Sequence, residues 1–254
     1  MVTREAVEEA LHRLYIGAGG TSLRTEDRKK ASELIGFLAE IEHLLKTTRG
    51  DRPFHLVDAA AGKAYVGLLA AELFLAKRAG KAQVTLIERE ARRATACRLA
   101  VHGARVGPSV TFTVAESAVE AEAVWPVEPD VVVALHACGA AADAILDRAV
   151  ACGARHLLLA PCCTSAEVAA MPIALRAAER IGMPHHAEVR RRFVQSMVDA
   201  ERTLRLEAAG YETHVVSFVP PTTTPHNLLW RARCVNEPVR RREAAASLER
   251  LRAF

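Results

Sequence analysis

Short apolar runs alternate with longer helix-forming segments between residues 54 and 160. The apolar runs predict five strands, at 54–58, 83–88, 110–114, 130–135 and 155–160. The segments between them predict helices, at about 63–78, 90–104, 117–124 and 140–151. This alternation is typical of βαβ units, so it predicts a parallel sheet with right-handed crossovers.

The flanking segments predict a helical start and a hairpin end. A small helix over 4–14 and a glycine-rich loop over 17–20 precede an amphipathic helix over 28–45, with Thr25 predicted to accept its first N–H groups. After Cys163 two helical pieces are separated near Gly182. The sequence then predicts two antiparallel strands, over 211–219 and 227–235, on either side of a proline-stiffened loop over 220–226. A charged terminal helix is predicted over 239–253.

Length and composition fit one large α/β domain or two small ones. The chain has 254 residues, of which 50% are apolar and 25% charged. No apolar run reaches the roughly 20 residues that span a bilayer, so we expect no membrane contact. The N-terminal segment carries acids where a signal peptide needs a basic and then apolar start. The six cysteines are scattered along the chain, which predicts a reducing, cytoplasmic location and no disulfide framework.

Arginine supplies most of the positive charge. The net charge is +4, and two local clusters stand out, Arg190 to Arg192 and Arg240 to Arg242. Such clusters can contact phosphate groups, or they can form ordinary solvated helix faces. The sequence leaves both interpretations open.

The strongest candidate for a ligand site is the stretch from Phe54 to Tyr65. An apolar strand ends in Asp58 and is followed by small residues and a helix-forming run. Small residues let a ligand approach the backbone, and a helix start offers free N–H groups. The pattern therefore predicts a nucleotide-like ligand, the alternative being a tight strand–helix connection without one.

Two further strand exits carry polar groups. The second strand ends in Glu88, and an acid at that point can accept both hydroxyls of a ribose. The third strand exits at Glu116 and Ser117. The carboxyl ends of parallel strands meet at one edge, so these groups are expected around one crevice.

These motifs resemble those of a known enzyme family. The segments VDAAAGKAY, LIERE, TVAES and DVVVALHACG resemble motifs I to IV of class I S-adenosylmethionine-dependent methyltransferases. LHACGAAADAIL and HLLLAPCCTS resemble the branch with HxCG and PCC motifs, which includes tRNA ribose 2′-O-methyltransferases. The resemblance covers about residues 29–235. It implies a Rossmann-like α/β fold with a seven-stranded, mostly parallel sheet, a terminal antiparallel hairpin and helices on both faces.

The resemblance also implies the cofactor, S-adenosyl-L-methionine, and the residues that hold it. Glu88 is expected at the ribose, Glu116 and Ser117 near the adenine, and Asp58 with the 60–64 backbone at the methionine end. The positions expected to bind the cofactor are Lys30, Asp58, Ala60, Gly62, Tyr65, Glu88, Arg89, Glu116, Ser117 and His136. Ala60 and Ala64 stand where the family usually has glycine. A methyl group is tolerated there while φ stays negative, but it narrows the approach to the ligand.

The candidate catalytic residues are His136, Cys138 and Cys162, which follow the fourth and fifth strands. His136 is either a general base or a residue that holds the turn. For Cys138, Cys162 and Cys163 three interpretations stay open. They are a zinc site, a thiolate nucleophile, or small and mostly buried packing residues beside the acceptor. The packing interpretation is preferred, so no bound metal is predicted.

The resulting hypothesis is a methyltransferase that acts on RNA, possibly tRNA. The alternatives are a methyltransferase for a small molecule or a protein, and a non-catalytic domain that binds S-adenosylmethionine. The expected domain organisation is an N-terminal helical extension over 1–50, a methyltransferase domain over 51–237 and a charged C-terminal helix over 238–254. The oligomeric state is left open.

Overall fold

The computed structural model describes residues 2–16, 24–48, 52–162 and 165–254. One sheet of seven strands runs through it, in the order β3-β2-β1-β4-β5-β7-β6. The strands are β1 (Phe54–Ala59), β2 (Ala82–Glu88), β3 (Val110–Glu116), β4 (Val131–Ala137), β5 (His156–Pro161), β6 (Tyr211–Ser217) and β7 (Leu228–Cys234). β1 to β5 run parallel to one another, and β7 is antiparallel to both β5 and β6. The predicted mostly parallel sheet with a terminal antiparallel hairpin is therefore confirmed.

Eight α-helices are described around the sheet. They are α1 (Arg4–Leu11), α2 (Thr25–Thr47), α3 (Tyr65–Leu73), α4 (Ala91–His102), α5 (Ala140–Ala151), α6 (Met171–Arg180), α7 (Ala187–Ala208) and α8 (Pro238–Arg252). Among the described residues, no helix combines the length and the apolar character needed to cross a membrane.

The two faces of the sheet have separate apolar cores, because side chains alternate along each strand. Leu56 of β1 packs with residues of α1 to α4, among them Phe37 and Leu68. The next residue, Val57, packs on the other face with α5 and α7, among them Ile145 and Leu206. The N-terminal helices thus share one core with the first strand.

Two predicted features differ from the structure. Thr25 lies inside the first turn of α2, and the carboxylate of Asp27 accepts the N–H of Arg24 at 2.8 Å. The segment 117–124 forms only a short 3-10 turn over 122–124. There, Trp125 donates its indole N–H to the carbonyl of Val119 at 2.8 Å, which closes the segment into a compact loop. The predicted loop over 17–20 lies outside the described residues.

The sheet order fixes where a site can form. β1 and β4 are neighbours, although β2 and β3 lie on the other side of β1. The chain adds β2 and β3 on one side of β1 and then returns to add β4 on the other side. In open α/β sheets such a switch point opens a crevice at the carboxyl ends of the strands. Asp58, Glu88 and His136 all lie at this edge.

Candidate active site

The connection between β1 and α3 is built from left-handed residues. Ala60, Gly62 and Ala64 have φ values of +56°, +62° and +62°. The N–H of Ala61 binds the carbonyl of Ile87 at 2.9 Å, which ties the turn to the end of β2. A side chain at Gly62 would meet nothing within 4 Å, so the space in front of this turn is open. From the sequence, Ala60 and Ala64 were expected to be tolerated at negative φ. Both have positive φ instead, so the turn has the backbone shape of a glycine-rich loop although alanine occupies two of its positions.

This backbone makes a prediction for the alanines. Left-handed backbone costs a residue with a Cβ about 1–2 kcal/mol. Ala60→Gly should therefore raise the free energy of unfolding, by about 0.5–1 kcal/mol after the greater entropy of glycine in the unfolded chain is subtracted. Urea unfolding at neutral pH measures the difference.

Ala61 provides the matched control for this prediction. It lies next to Ala60, is half-buried like Ala60 and keeps a negative φ. Ala61→Gly should lower the free energy of unfolding by about 0.4–1 kcal/mol. The same sign for both substitutions would contradict the idea that Ala60 is strained.

Glu88 holds the turn from the neighbouring strand. Its carboxylate is buried and accepts the N–H of Gly62 at 2.7 Å through one oxygen and the N–H of Glu90 at 2.8 Å through the other. An ionised carboxylate has about four lone-pair sites, so two remain for other donors. The group is thus fixed in orientation and still able to accept two hydroxyl groups.

Asp58 is buried at the end of β1 and faces α3. It accepts the N–H of Gly67 at 2.8 Å. A Cβ at Gly67 would lie 3.1 Å from the Asp58 carboxylate and 2.6 Å from Leu86, so glycine permits this close approach. Burial raises the pKa of Asp58 to about 7; the Gly67 N–H opposes this rise and the nearby charge of Glu88 adds to it.

The exit of β3 is more open. Glu116 is exposed and forms an ion pair with Arg98 of α4 at 3.1 Å. The N–H of Ser117 donates to the backbone carbonyl of Glu88 at 3.0 Å, so the two strand exits are joined. Arg89, which follows Glu88 in the chain, is exposed.

Helix α2 adds Glu33, which was not among the predicted site residues. His136 Nε2 lies 2.9 Å from an oxygen of Glu33, and the ammonium group of Lys30 lies 3.2 Å from the same oxygen. Glu33 belongs to the segment KKASE, so its position was visible in the sequence. Its partner was not, because the contact spans 103 residues.

A small pocket of about 170 Å³ adjoins the N-terminus of α3. Lys30, Lys63, Tyr15 and Tyr65 are among its lining residues. The rings of Tyr15 and Tyr65 meet edge to face with centroids 4.5 Å apart, and burial raises the pKa of both phenols. Two ammonium groups and the single carboxylate of Asp27 therefore stand beside the turn, and the excess of positive charge favours an anionic ligand group.

The cysteine prediction needs correction. Cys138 and Cys162 are joined by a disulfide with Cα atoms 5.6 Å apart, whereas the sequence predicted no disulfide framework. Their sulfur atoms lie 3.4 and 3.7 Å from the carbonyl oxygen of His136, so the expected gathering of these three residues is observed. Cys138 is exposed, which does not fit a mostly buried packing residue. Cys163 lies outside the described residues, and no cluster that could hold a metal occurs among those described.

A cavity of about 840 Å³ lies beyond the disulfide, between α6, α7 and the loop that precedes β7. Its apolar walls include Pro161, Met171, Leu175, Val194 and Leu228. Its charged and polar groups include Arg190, Arg191, Arg192, Gln195, Asp199 and His226. Burial raises the pKa of Asp199 to about 6, although Arg202 and the amide of Gln195 oppose the rise. Pro225 and His226 of the loop 220–226 are also among its lining residues.

The predicted site residues fall into two groups. In the first group, Glu88 accepts the N–H of Gly62 through its carboxylate and the N–H of Ser117 through its backbone carbonyl, around the exits of β1 to β3. Asp58 belongs to the same group and accepts the N–H of Gly67. Those at His136, Cys138 and Cys162 lie at the exits of β4 and β5, next to the larger cavity through Pro161. Lys30 contacts Glu33 and thereby borders the second group.

Several solved structures are similar to this chain, and the one with a TM-score of 0.50 shares its fold. The methyltransferase domain of the citrinin polyketide synthase is 12% identical, with a TM-score of 0.50 over 92% of this chain and 66% of that chain. Magnesium protoporphyrin IX methyltransferase from Synechocystis PCC 6803, with bound SAH, is 14% identical, with a TM-score of 0.48 over 89% and 93%. An SAH-bound methyltransferase from Podospora anserina is 13% identical, with a TM-score of 0.47 over 92% and 88%.

Comparisons of the sequence give the family. Curated protein sequences provide no match. A family model described as a methyltransferase domain matches residues 29–170, which is more than half of the chain. The matched range runs from α2 through β5 and includes both groups of candidate site residues. The prediction of a methyltransferase is thereby confirmed, and the chain belongs to this family of methyltransferase domains.

Proposed function

We propose that this protein transfers the methyl group of S-adenosyl-L-methionine to an RNA acceptor. The observation that carries the proposal is the buried Glu88 carboxylate, held between the N–H groups of Gly62 and Glu90. A nucleoside needs an acceptor pair of this kind for its ribose hydroxyls. The open space in front of Gly62 leaves room for it.

The other cofactor contacts follow from the same geometry. Glu116, Ser117 and Arg89 surround the exit next to Glu88 and would flank the adenine. The turn over 60–64, supported by Asp58, and the small pocket beside Tyr65 would receive the methionine end. Lys30 and Lys63 line that pocket, so an ammonium group can meet the carboxylate of the cofactor.

The protein has a limited chemical task in such a reaction. The sulfonium of the bound cofactor supplies an already activated methyl group. The chain must align the acceptor atom with it and take up the proton that the acceptor loses. Of the proposed catalytic residues, His136 keeps a basic ring nitrogen, whereas the disulfide occupies both Cys138 and Cys162 and leaves neither as a thiolate.

An RNA acceptor is supported by the larger cavity and its arginines. A volume of about 840 Å³ with apolar walls can take a nucleoside, and Arg190, Arg191 and Arg192 at its lining can contact phosphates. Arg191 and Arg192 are more than 70% exposed, and their ion pairs with Glu188 are exposed and therefore weak. The guanidinium groups are thus available to a stronger anion.

The cofactor assignment predicts a loss of affinity in Glu88→Ala. Binding of S-adenosylhomocysteine should weaken by about 1–3 kcal/mol, or about 5–150-fold, because the ribose hydroxyls and the Gly62 N–H lose their acceptor. Titration calorimetry measures the change. Glu90→Ala is the matched control, since its side chain forms an exposed ion pair with Arg93 and should leave affinity unchanged. No binding by the wild type, or equal binding by Glu88→Ala, would contradict the assignment.

The acceptor class is tested by comparing modified nucleosides. Total RNA from cells with and without the protein is digested and analysed by mass spectrometry. The proposal expects one methylated nucleoside that depends on the protein, and RNA binding that weakens linearly on a log–log salt plot. Identical nucleoside profiles would reject RNA as the acceptor.

A small-molecule acceptor is the second candidate, because the cavity walls are largely apolar and its volume suits a single ligand. This alternative predicts methyl transfer without salt-dependent RNA binding.

For either acceptor we propose the same domain organisation and a cytoplasmic location. The domains are a helical extension over 1–50, a methyltransferase domain over 51–237 and a charged C-terminal helix over 238–254.

A further inference from the structure

His136 occupies an irregular position at the end of β4. In the pairing with β5, Leu135 is opposite Ala160 and Ala137 is opposite Pro161, so His136 is an extra residue in its strand. Its φ is +65°, which is uncommon for a residue with a Cβ. Bulges of this kind redirect a side chain and are frequent beside active sites. Here the redirected imidazole contacts Glu33 of α2, with 2.9 Å between Nε2 and Oε2.

The charge of Glu33 decides which ring nitrogen carries the proton. The Glu33 side chain is only 12% exposed. Burial tends to raise the pKa of Glu33, but the hydrogen bond from His136 and the charge of Lys30 together lower it below its usual value. Glu33 is therefore ionised at neutral pH and can only accept hydrogen bonds. A neutral His136 must then carry its proton on Nε2, which leaves the lone pair on Nδ1.

The remaining surroundings of the ring are also defined. Lys30 approaches Glu33, not the imidazole, and the Cys138–Cys162 disulfide contacts the backbone carbonyl of His136. Within the described ranges, Nδ1 has no hydrogen-bond partner, and 30% of the side chain is exposed. The ring thus has one anchored nitrogen and one free nitrogen.

We propose that Glu33 is a positioning residue that holds His136 with its proton on Nε2, so that Nδ1 can take the proton of the methyl acceptor. The inference rests on the proposed function. The acceptor oxygen or nitrogen forms a bond to the methyl carbon, and the carbon–sulfur bond breaks with its electron pair remaining on sulfur. The acceptor proton moves to Nδ1, the resulting imidazolium faces the Glu33 carboxylate, and the proton then passes to water. A carboxylate that orients a histidine in this way selects the tautomer and stabilises the cation.

The first test is spectroscopic and needs no acceptor. Nitrogen-15 NMR of histidine-labelled protein at a pH where His136 is neutral distinguishes the two tautomers, and His136→Asn assigns the signals. Wild type and Glu33→Gln should show protonated Nε2 and bare Nδ1, because a glutamine carbonyl can still accept the Nε2 proton. Glu33→Ala should show a mixture of tautomers. Bare Nε2 in the wild type, or no change in Glu33→Ala, overturns the proposal.

Glu40 offers a matched control on the same helix. It is 15% exposed and pairs with Arg231 at 2.6 Å, so Glu40→Ala removes a comparable carboxylate away from His136. Glu40→Ala should leave the His136 signals unchanged. A tautomer change in Glu40→Ala equal to that in Glu33→Ala would assign the effect to general destabilisation and overturn the proposal.

The second test is single-turnover methyl transfer from S-adenosylmethionine to total RNA. Glu33→Ala should slow transfer by about 10²–10⁴-fold, the usual contribution of a positioned acid or base. Glu33→Gln should lose less, and Glu40→Ala should keep the wild-type rate. Binding of S-adenosylhomocysteine should stay within about threefold in Glu33→Gln and Glu40→Ala, because both keep an acceptor for Lys30 and leave the contacts of Glu88 in place. Wild-type rates in Glu33→Ala overturn the proposal. If the wild type methylates no RNA, the RNA assignment fails and the tautomer measurement still decides the role of Glu33.

Discussion

The stability of the wild type relative to Asp58→Asn is expected to fall by up to about 4 kcal/mol as the pH rises from about 4 to about 7. Burial raises the folded-state pKa of Asp58 to about 7, from an ordinary value of 3.8. A raised pKa means that the folded protein binds this proton more tightly than the unfolded chain. The stabilisation is therefore complete below the unfolded pKa and is lost as the pH passes through the folded pKa.

Urea unfolding of both proteins between pH 4 and pH 8 measures this difference. Other groups titrate in the same range, including Asp199, whose pKa is raised to about 6. They are common to the two proteins, so the difference isolates position 58. A difference that does not change with pH would show that Asp58 is ionised in the folded state throughout. The supporting hydrogen bond from Gly67 would then outweigh the burial of the carboxyl group.

Arg202→Met is expected to lower the free energy of unfolding by about 3 kcal/mol. The Arg202 side chain is 1% exposed and its Nε donates to Asp143 of α5 at 2.8 Å. Removing the guanidinium leaves the buried carboxylate of Asp143 without one of its two positively charged hydrogen-bond donors. The loss is expected at the lower end of the usual range, because Arg205 also donates to Asp143 at 2.8 Å. The ion pair of Arg202 with Asp143 connects α7, which lines the larger cavity, to α5, which follows Cys138.

Chemical unfolding at neutral pH measures this change, and Arg192→Met on the same helix is its control. Arg192 is 78% exposed and pairs with Glu188 at 2.8 Å, so its replacement should change stability by less than about 0.5 kcal/mol. The double substitution Asp143→Leu with Arg202→Met should recover part of the loss, since the buried carboxylate is removed together with Arg202 and Arg205 keeps its ion pair with Asp147 at 3.1 Å. Equal effects of Arg202→Met and Arg192→Met would contradict a buried ion pair.

The proposed reaction uses residues from within the range matched by the family model and residues from beyond it. Glu88 and the 60–64 turn come from strands within the matched methyltransferase range, and so does Glu33, although its helix precedes the sheet. The arginines at the larger cavity lie on α7, beyond the matched range. The residues proposed for the cofactor therefore lie within the range of the family model, whereas the arginines proposed for the acceptor lie outside it.

Local sequence patterns were sufficient for most of the fold. The apolar and extended runs predicted all seven strands, and the central strands β1, β4 and β5 are apolar because both of their faces are covered. The segment Gly182 to Pro184 predicted the break between α6 and α7, and the φ of Gly182 is +68°. The prediction of a helix over 117–124 was wrong, because the hydrogen bond from the Trp125 indole to the carbonyl of Val119 favours a loop there. That hydrogen bond and the burial of Trp125 are tertiary effects that helix propensity does not contain.

The sequence also determined which groups meet at the crevice. Asp58, Glu88 and His136 end strands of one parallel sheet, and the carboxyl ends of such strands must share an edge. It could not determine that Ala60 and Ala64 adopt positive φ, because the backbone there is held by hydrogen bonds from Ala61 to Ile87 and from Gly62 to Glu88.

The tertiary structure alone decided the partners on the acceptor side. Adjacent Cys162 and Cys163 are equivalent in the sequence, and regular pairing of β4 with β5 would set Cys138 opposite Cys163. The extra residue at His136 shifts the register by one, so that Ala137 is opposite Pro161 and Cys138 bonds to Cys162. The same bulge turns His136 toward Glu33, 103 residues away in the chain. Register and helix docking depend on how whole elements pack, and no local pattern of residues encodes them.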